Sequence, residues 1–146
     1  MKVEFLSRLQ VSRSVDDENT WRLEAPLRIA LDSNAMPEIS GAVRWVPLGD
    51  RDGRFELTVP AGYVTDFASV PRLPLAYLLA GNTAQASAVV HDFLYEMKAP
   101  RAWADDVFAA AMEAEGVAAW RRGLMWSAVR LFGRSRHGKR APEALR

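Results

Sequence analysis

His91 is the side chain in this sequence best suited to acid–base chemistry. It is one of two histidines; Asp92 follows it directly and Tyr95 stands four residues on. On a helix His91 and Tyr95 share a face, while Asp92 points about 100° away. Asp92 therefore cannot orient the imidazole, and that carboxylate must come from another element. Asp105 and Asp106, at the start of the following helix, are the nearest candidates. Asp105 shares a stripe with Phe108 and Met112, whereas Asp106 lies further round and is expected in solvent, as a first-turn carboxylate favoured by the helix dipole. Taken alone, His91 also fits a plain role as a buried helix histidine bonded to a neighbour.

A second polar knot precedes it, Thr65-Asp66-Phe67-Ala68-Ser69-Val70-Pro71. A lone Asp66 reads as an Asx-turn carboxylate and a lone Ser69 as a cap. Together with Asp92 and spare loop carbonyls, Asp66 offers hard oxygen ligands of the kind Ca²⁺ takes. Ser69 could instead serve as a nucleophile beside His91, but Ser69-Val70-Pro71 lacks a G-x-S-x-G elbow.

The elements that must position these groups fall in two halves. Residues 2–60 alternate apolar and polar residues with a period of two, at Val3 and Phe5, at Trp21, Leu23 and Ala25, at Leu27, Ile29 and Leu31, at Val43 and Trp45, and at Phe55, Leu57 and Val59. That period marks strands with one face inward. Turn residues separate them at Asp16-Asp17-Glu18-Asn19, Asp32-Ser33-Asn34 and Gly49-Asp50-Arg51-Asp52-Gly53. Pro26 and Pro47 each remove a ladder donor and belong at edges or bulges. Tyr63-Val64-Thr65 is a last short strand. Pro71 and Pro74 impose an irregular path, with a short turn of helix over residues 75–79.

Three helices follow. The first runs from Ala84 to about Met97, capped by Asn82 or Thr83, with Ala88, His91, Asp92 and Tyr95 on one stripe. The second runs from Arg101 or Trp103 to about Glu115, with Ala104, Phe108, Ala111 and Met112 inward. The third runs from about Trp120 to Phe132 and is expected to pack Trp120, Leu124, Ala128 and Leu131, with Gly133 as its cap. Short links make neighbouring helices antiparallel. The fold class is thus α+β, a small antiparallel β-sheet in the N-terminal half packed on three C-terminal α-helices. Residues 1–133 form a single domain, β-rich over 1–64 and helical over 65–133. Trp21, Trp45 and Phe55 are too many large groups for so small a sheet to bury alone, so they are expected to pack on the helices near Trp103 and Trp120.

Composition narrows the functions. With 49% hydrophobic residues the 146-residue chain can build a core, and a net charge of +1 gives no overall attraction to nucleic acid. The basic residues gather in the 134–146 segment, where Arg134, Arg136, Lys139, Arg140 and Arg146 face only Glu143; a flexible tail is expected there. With no cysteine, disulfides and thiolate metal sites are excluded. The first residues are broken by charge, and nothing approaches the roughly 18 apolar residues of a membrane span. No signal peptide and no transmembrane segment are expected.

The order D-x-x-S-x-P, then H-D-x-x-Y, then D-x-x-F with a methionine four residues on, resembles the phospholipase A2 superfamily, most closely its compact microbial members. That resemblance covers about residues 66–112. It implies Asp66, the Phe67 carbonyl and Asp92 as Ca²⁺ ligands, His91 as general base, Asp105 as its orienter and Tyr95 in support. The flanking cysteines of the secreted enzymes and the glycine-rich calcium loop of the animal ones are absent here, so packing alone must set the site. Over most of residues 55–133 the chain also resembles a phage and prophage family of unknown function, through Val59-Pro60-Ala61-Gly62-Tyr63-Val64-Thr65-Asp66-Phe67-Ala68-Ser69-Val70-Pro71, His91-Asp92-Phe93-Leu94-Tyr95 and Val129-Arg130-Leu131-Phe132-Gly133.

The resemblances imply a phage-encoded, calcium-dependent hydrolase of an ester, phospholipid-like substrate, with a phospholipid or a membrane surface as partner. Two other roles compete: a non-enzymatic tail or virion assembly protein with virion partners, and an acyl hydrolase built on Ser69. Synthesis in the bacterial cytoplasm follows from the phage likeness, with virion association under the assembly role.

Overall fold

The structure is a computed structural model that describes residues 1–18, 20–32, 36–37, 39, 46–49, 52–67 and 84–132. Expectations for Val43, Trp45, Ser69, Val70, Pro71, Pro74, residues 75–79, Asn82, Thr83, Gly133 and the 134–146 segment lie outside the described residues.

Alternation in the N-terminal half produces seven short strands among the described residues: β1 (Lys2–Phe5), β2 (Val11–Arg13), β3 (Trp21–Leu23), β4 (Leu27–Asp32), β5 (Val46–Pro47), β6 (Phe55–Val59) and β7 (Val64–Thr65). All pairs are antiparallel, in two ladders rather than the one sheet the pattern suggests: β1-β4-β6-β5 and β2-β3-β7. The split falls at Glu24-Ala25-Pro26. Pro26 has no N–H to donate, and Ser7 mends the gap: its hydroxyl donates to the Pro26 carbonyl at 3.0 Å and accepts from the Arg28 N–H at 2.8 Å. Pro47 sits on the outermost strand of its ladder, where a missing donor costs least. In the β5–β6 turn, Gly49 and Gly53 take φ of 67° and 63°, which favour glycine.

On the inner faces, Leu23, Leu27, Ile29, Leu31, Leu57 and Val59 are buried against Val89, Val90, Phe93 and Leu94 of α1 (Gln85–Glu96) and Val107 of α2 (Arg101–Ala114). The helix α2 lies against β1. A second apolar cluster joins the helices: Ala84 and Ala88, Phe108 and Met112, and Val117, Met125 and Val129, the last two on α3 (Ala119–Phe132). Phe67 packs against both clusters. The chain is therefore α+β, with its antiparallel strands in the N-terminal half and, among the described residues, three helices behind them. Of the described residues, no helix is long and apolar enough to cross a membrane.

One expectation fails. The third helix does not bury Trp120, Leu124, Ala128 and Leu131. Met125 and Val129 face the core instead, Ala128 is half-buried, and Trp120, Leu124 and Leu131 stay exposed. Of the sheet aromatics, Trp21 lies 6.1 Å from Phe67 between ring centroids, and Trp103 packs on the core.

The first helix also starts differently. Its N-cap is Ala84, which offers no side-chain cap. The carboxylate of Glu115, at the end of α2, accepts instead from the N–H groups of Ala86 and Ser87 at 3.1 and 2.9 Å, and from the Ser87 hydroxyl. It satisfies helix donors that would otherwise be orphaned and places negative charge at the positive end of the α1 dipole. Glu115→Ala is expected to lower stability by about 0.5–2 kcal/mol, the range of a lost cap. A urea midpoint unchanged from wild type would show that the cap contributes nothing.

Candidate active site

Helical spacing and an antiparallel turn build the site. On α1, His91 and Tyr95 lie one turn apart on the buried face, and their rings stand 4.1 Å apart between centroids. The α1–α2 link is short because Lys98 turns the chain with φ at 58°. It returns α2 alongside, with Asp105 buried and Asp106 exposed. Phe108, one turn further, closes over the imidazole at 4.8 Å. Asp105, unlike Asp106, falls on the Phe108–Met112 stripe, which is why the sequence pattern tells the two aspartates apart.

Asp105 is the centre of the cluster. One carboxylate oxygen, Oδ1, receives His91 Nε2 at 2.8 Å and the Tyr95 hydroxyl at 2.5 Å. The other, Oδ2, faces Arg130 Nη1 from α3 at 3.4 Å. Burial works to raise this carboxyl, but the hydrogen bonds from His91 and Tyr95, with the charges of His91 and Arg101, together hold it below its ordinary value. The Tyr95 phenol is pushed up to about 12, by burial first and then by the bond to Asp105.

The contacts at Asp105 bear on the tautomer of His91. An ionised carboxylate only accepts, so at Oδ1 both His91 Nε2 and Tyr95 Oη must donate. With its proton on Nε2, a neutral His91 ring carries its lone pair on Nδ1. That nitrogen is buried and meets no hydrogen-bond partner among the described residues. A buried polar atom left unsatisfied costs about 1–3 kcal/mol, and such exceptions in folded proteins call for an explanation. Chemically, a carboxylate-oriented imidazole whose other nitrogen has no partner is an arrangement that can act as a general base where water reaches it.

Asp92 points away from this cluster, as the helix geometry requires. It is half-buried, and its Oδ2 accepts from the Thr65 hydroxyl at 2.8 Å. The same Thr65 oxygen accepts from the Phe67 N–H at 3.0 Å, which ties the loop carrying Asp66 to α1. Phe67 adopts φ of 52°, a left-handed conformation uncommon for a residue with a Cβ. Strained backbone of this kind gathers at functional sites. Nearby, the Tyr63 phenol is pushed well above its ordinary value, by burial first and then by the negative charges of Asp92, Glu96 and Asp66. The two aspartates and Glu96 therefore act on one buried phenol. Among the described residues, however, no group of three or more His, Asp or Glu is spaced to hold a metal ion. The donors are hard oxygens, which suits Ca²⁺ better than a transition metal. A cation here would need Asp66, Asp92, the Phe67 carbonyl and water to complete its shell.

Three contributors escape a reading of the sequence alone. Thr65 lies inside the polar knot but has no side-chain pattern that assigns it to Asp92. Arg101 reaches from the start of α2 to the end of α3, where Nη2 donates to the Val129 carbonyl at 3.0 Å and to that of Arg130; its Nε stands 3.4 Å from the Tyr95 hydroxyl. Arg130 then turns toward Asp105. The antiparallel order of α2 and α3 does hint at Arg101, since it puts a cation beside the carbonyl end of a helix.

The chain belongs to a family of proteins of unknown function, DUF1353, whose match spans residues 46–129, more than half of the sequence. That stretch runs from β5 through most of α3 and holds the site residues described above except Arg130, which lies one residue beyond it, while β1 to β4 lie before it. No significant match is found among the curated proteins or among the solved structures.

Proposed function

We propose that this chain is an ester hydrolase with a phospholipase A2-like His/Asp site, phage-encoded and acting on a phospholipid-like substrate with Ca²⁺ as cofactor. The observation that carries this reading is the open Nδ1 of a buried histidine whose other nitrogen is held by Asp105. His91 Nδ1 takes a proton from a water molecule as the water oxygen bonds to the ester carbonyl carbon. Asp105 stabilises the imidazolium that forms, and Tyr95 holds Asp105 in place. The imidazolium then returns the proton to the departing alkoxide as the carbon–oxygen bond breaks, leaving a carboxylic acid and an alcohol. When bound, Ca²⁺ would polarise the carbonyl and hold a phosphate group. Asp66, the Phe67 carbonyl and Asp92 are the residues that would hold it.

The direct assay is fatty-acid release from a monomeric short-chain phospholipid in CaCl₂, repeated in chelator. Metal-dependent release is expected; none above the buffer rate in either condition would sink the proposal. Calorimetry addresses the ligands separately. Titrating CaCl₂ into wild type should give a binding isotherm that Asp92→Asn weakens at least about tenfold, because a Ca²⁺ site depends on carboxylate charge. Equal isotherms for the two proteins would remove Asp92 from the set.

A second reading is favoured by the way Asp105 gathers His91 and Tyr95 from α1 and Arg130 from α3. Such a cluster could serve as a clamp between helices in a non-enzymatic tail or virion assembly protein. Under that reading, His91→Gln leaves particle assembly and infectivity unchanged, and no ester is cleaved. The Ser69-based mechanism rests on a residue outside the described ones, and nothing described here favours it.

A further inference from the structure

We propose that the outward face of α3 docks on the surface of an anionic lipid bilayer. The helix is apolar on two sides. Met125 and Val129 are buried in the helical cluster, yet Trp120, Leu124 and Leu131 are 55%, 53% and 72% exposed. At about 100° per residue these three fall within about 40° of one another, on the side away from the core. Arg121 and Arg130 lie on either flank of that stripe, each with its guanidinium over a tryptophan, Trp120 at 5.1 Å and Trp126 at 5.2 Å. Exposed leucines sharing a face with a tryptophan and flanked by arginines are the make-up of a helix that lies in the lipid interface. A scatter of single exposed apolar residues would need no explanation; three gathered on one side of one helix do.

Charge selects the occupant. From residue 119 to 146 the sequence carries eight Lys and Arg against one Glu, while residues 1–118 carry eleven against seventeen. Helix α3 itself has three arginines and no acidic residue. A second copy would bring the same positive segment against this one, so self-association through α3 is disfavoured by like charge. A nucleic acid would meet leucine and tryptophan at the centre of the face, where phosphate contacts need cations. An anionic bilayer satisfies both halves of the pattern: acyl chains receive the stripe and headgroups receive the arginines. Arg130 also reaches Asp105 from this helix, so the docked face lies next to the site. The inference deepens the hydrolase reading by locating the substrate-bearing surface, but it stands on separate residues.

The test is flotation of the full chain with vesicles of non-hydrolysable diether lipids, phosphatidylglycerol with phosphatidylcholine against phosphatidylcholine alone, without calcium. Wild type should bind the anionic vesicles and be released by high salt. Leu124→Asp combined with Leu131→Asp should weaken binding at least about tenfold with an unchanged thermal midpoint; Leu131→Asp alone serves if the pair does not fold. His91→Gln should bind as wild type does. No binding by wild type, or equal binding by the aspartate variants, overturns docking. So does a concentration-dependent dimer abolished by those variants in a protein that ignores vesicles. Binding to diether vesicles with no cleavage of a short-chain ester would refute the hydrolase reading alone, and cleavage without binding would refute docking alone.

Discussion

His91→Gln is expected to reduce ester hydrolysis by about 10²–10⁴-fold, the usual contribution of a general base, while leaving the protein folded. Glutamine separates the two roles of the histidine. Its amide N–H can still donate to Asp105, so the buried carboxylate keeps a partner. It has no basic nitrogen where Nδ1 stands, so the proton of water has nowhere to go. The loss should appear in kcat, because the lone pair acts on the transition state rather than on substrate binding. Activity within a few-fold of wild type, in a variant whose thermal midpoint is unchanged, would remove His91 from the chemistry.

Asp105→Ala should have the largest effect on stability, about 3–5 kcal/mol, as breaking a buried charged pair does. It would leave His91 Nε2 and the Tyr95 hydroxyl without the acceptor both now use, and would take from Arg130 its buried carboxylate. The effect should depend on pH with a definite sign. The carboxyl lies below its ordinary value in the folded state, so its stabilisation is complete above the unfolded value of 3.8 and is lost as pH falls through the lower folded value. Glu115 has the opposite sign. Burial raises its carboxyl despite bonds from Ser87 and Ala86, so its contribution is greatest at low pH and declines as pH rises through the folded value. Urea midpoints for wild type and Asp105→Ala should therefore converge in acid and separate toward neutrality. A constant gap across that range would show that ionisation of Asp105 does not stabilise the fold.

Much of this arrangement was legible in the residues. Alternation at Leu27, Ile29 and Leu31 and at Phe55, Leu57 and Val59 marks the central pair β4 and β6, whose inner faces form the core. The Asp105–Phe108–Met112 stripe told Asp105 from Asp106, and hence which carboxylate meets His91. Strand β2 escaped because Val11-Ser12-Arg13 is three residues long with two of them exposed, too short for a period to show. The cap of α1 escaped because Glu115 is distant in sequence, and capping rules look only at neighbours. On α3 two apolar stripes compete, Met125 with Val129 and Trp120 with Leu124 and Leu131. Counting favours the larger side chains, whereas packing against Phe108 and Met112 selected the smaller pair.

The measurement that bears most directly on the account is the tautomer of His91, read from the ring nitrogen resonances of ¹⁵N-labelled protein at neutral pH. Only His137 shares the spectrum, and a His137→Gln variant assigns it. The expected result is a proton on Nε2, held by Asp105, and an unprotonated Nδ1. A proton on Nδ1 with Nε2 unprotonated would mean that Asp105 carries the shared proton, and the base proposed here would not exist.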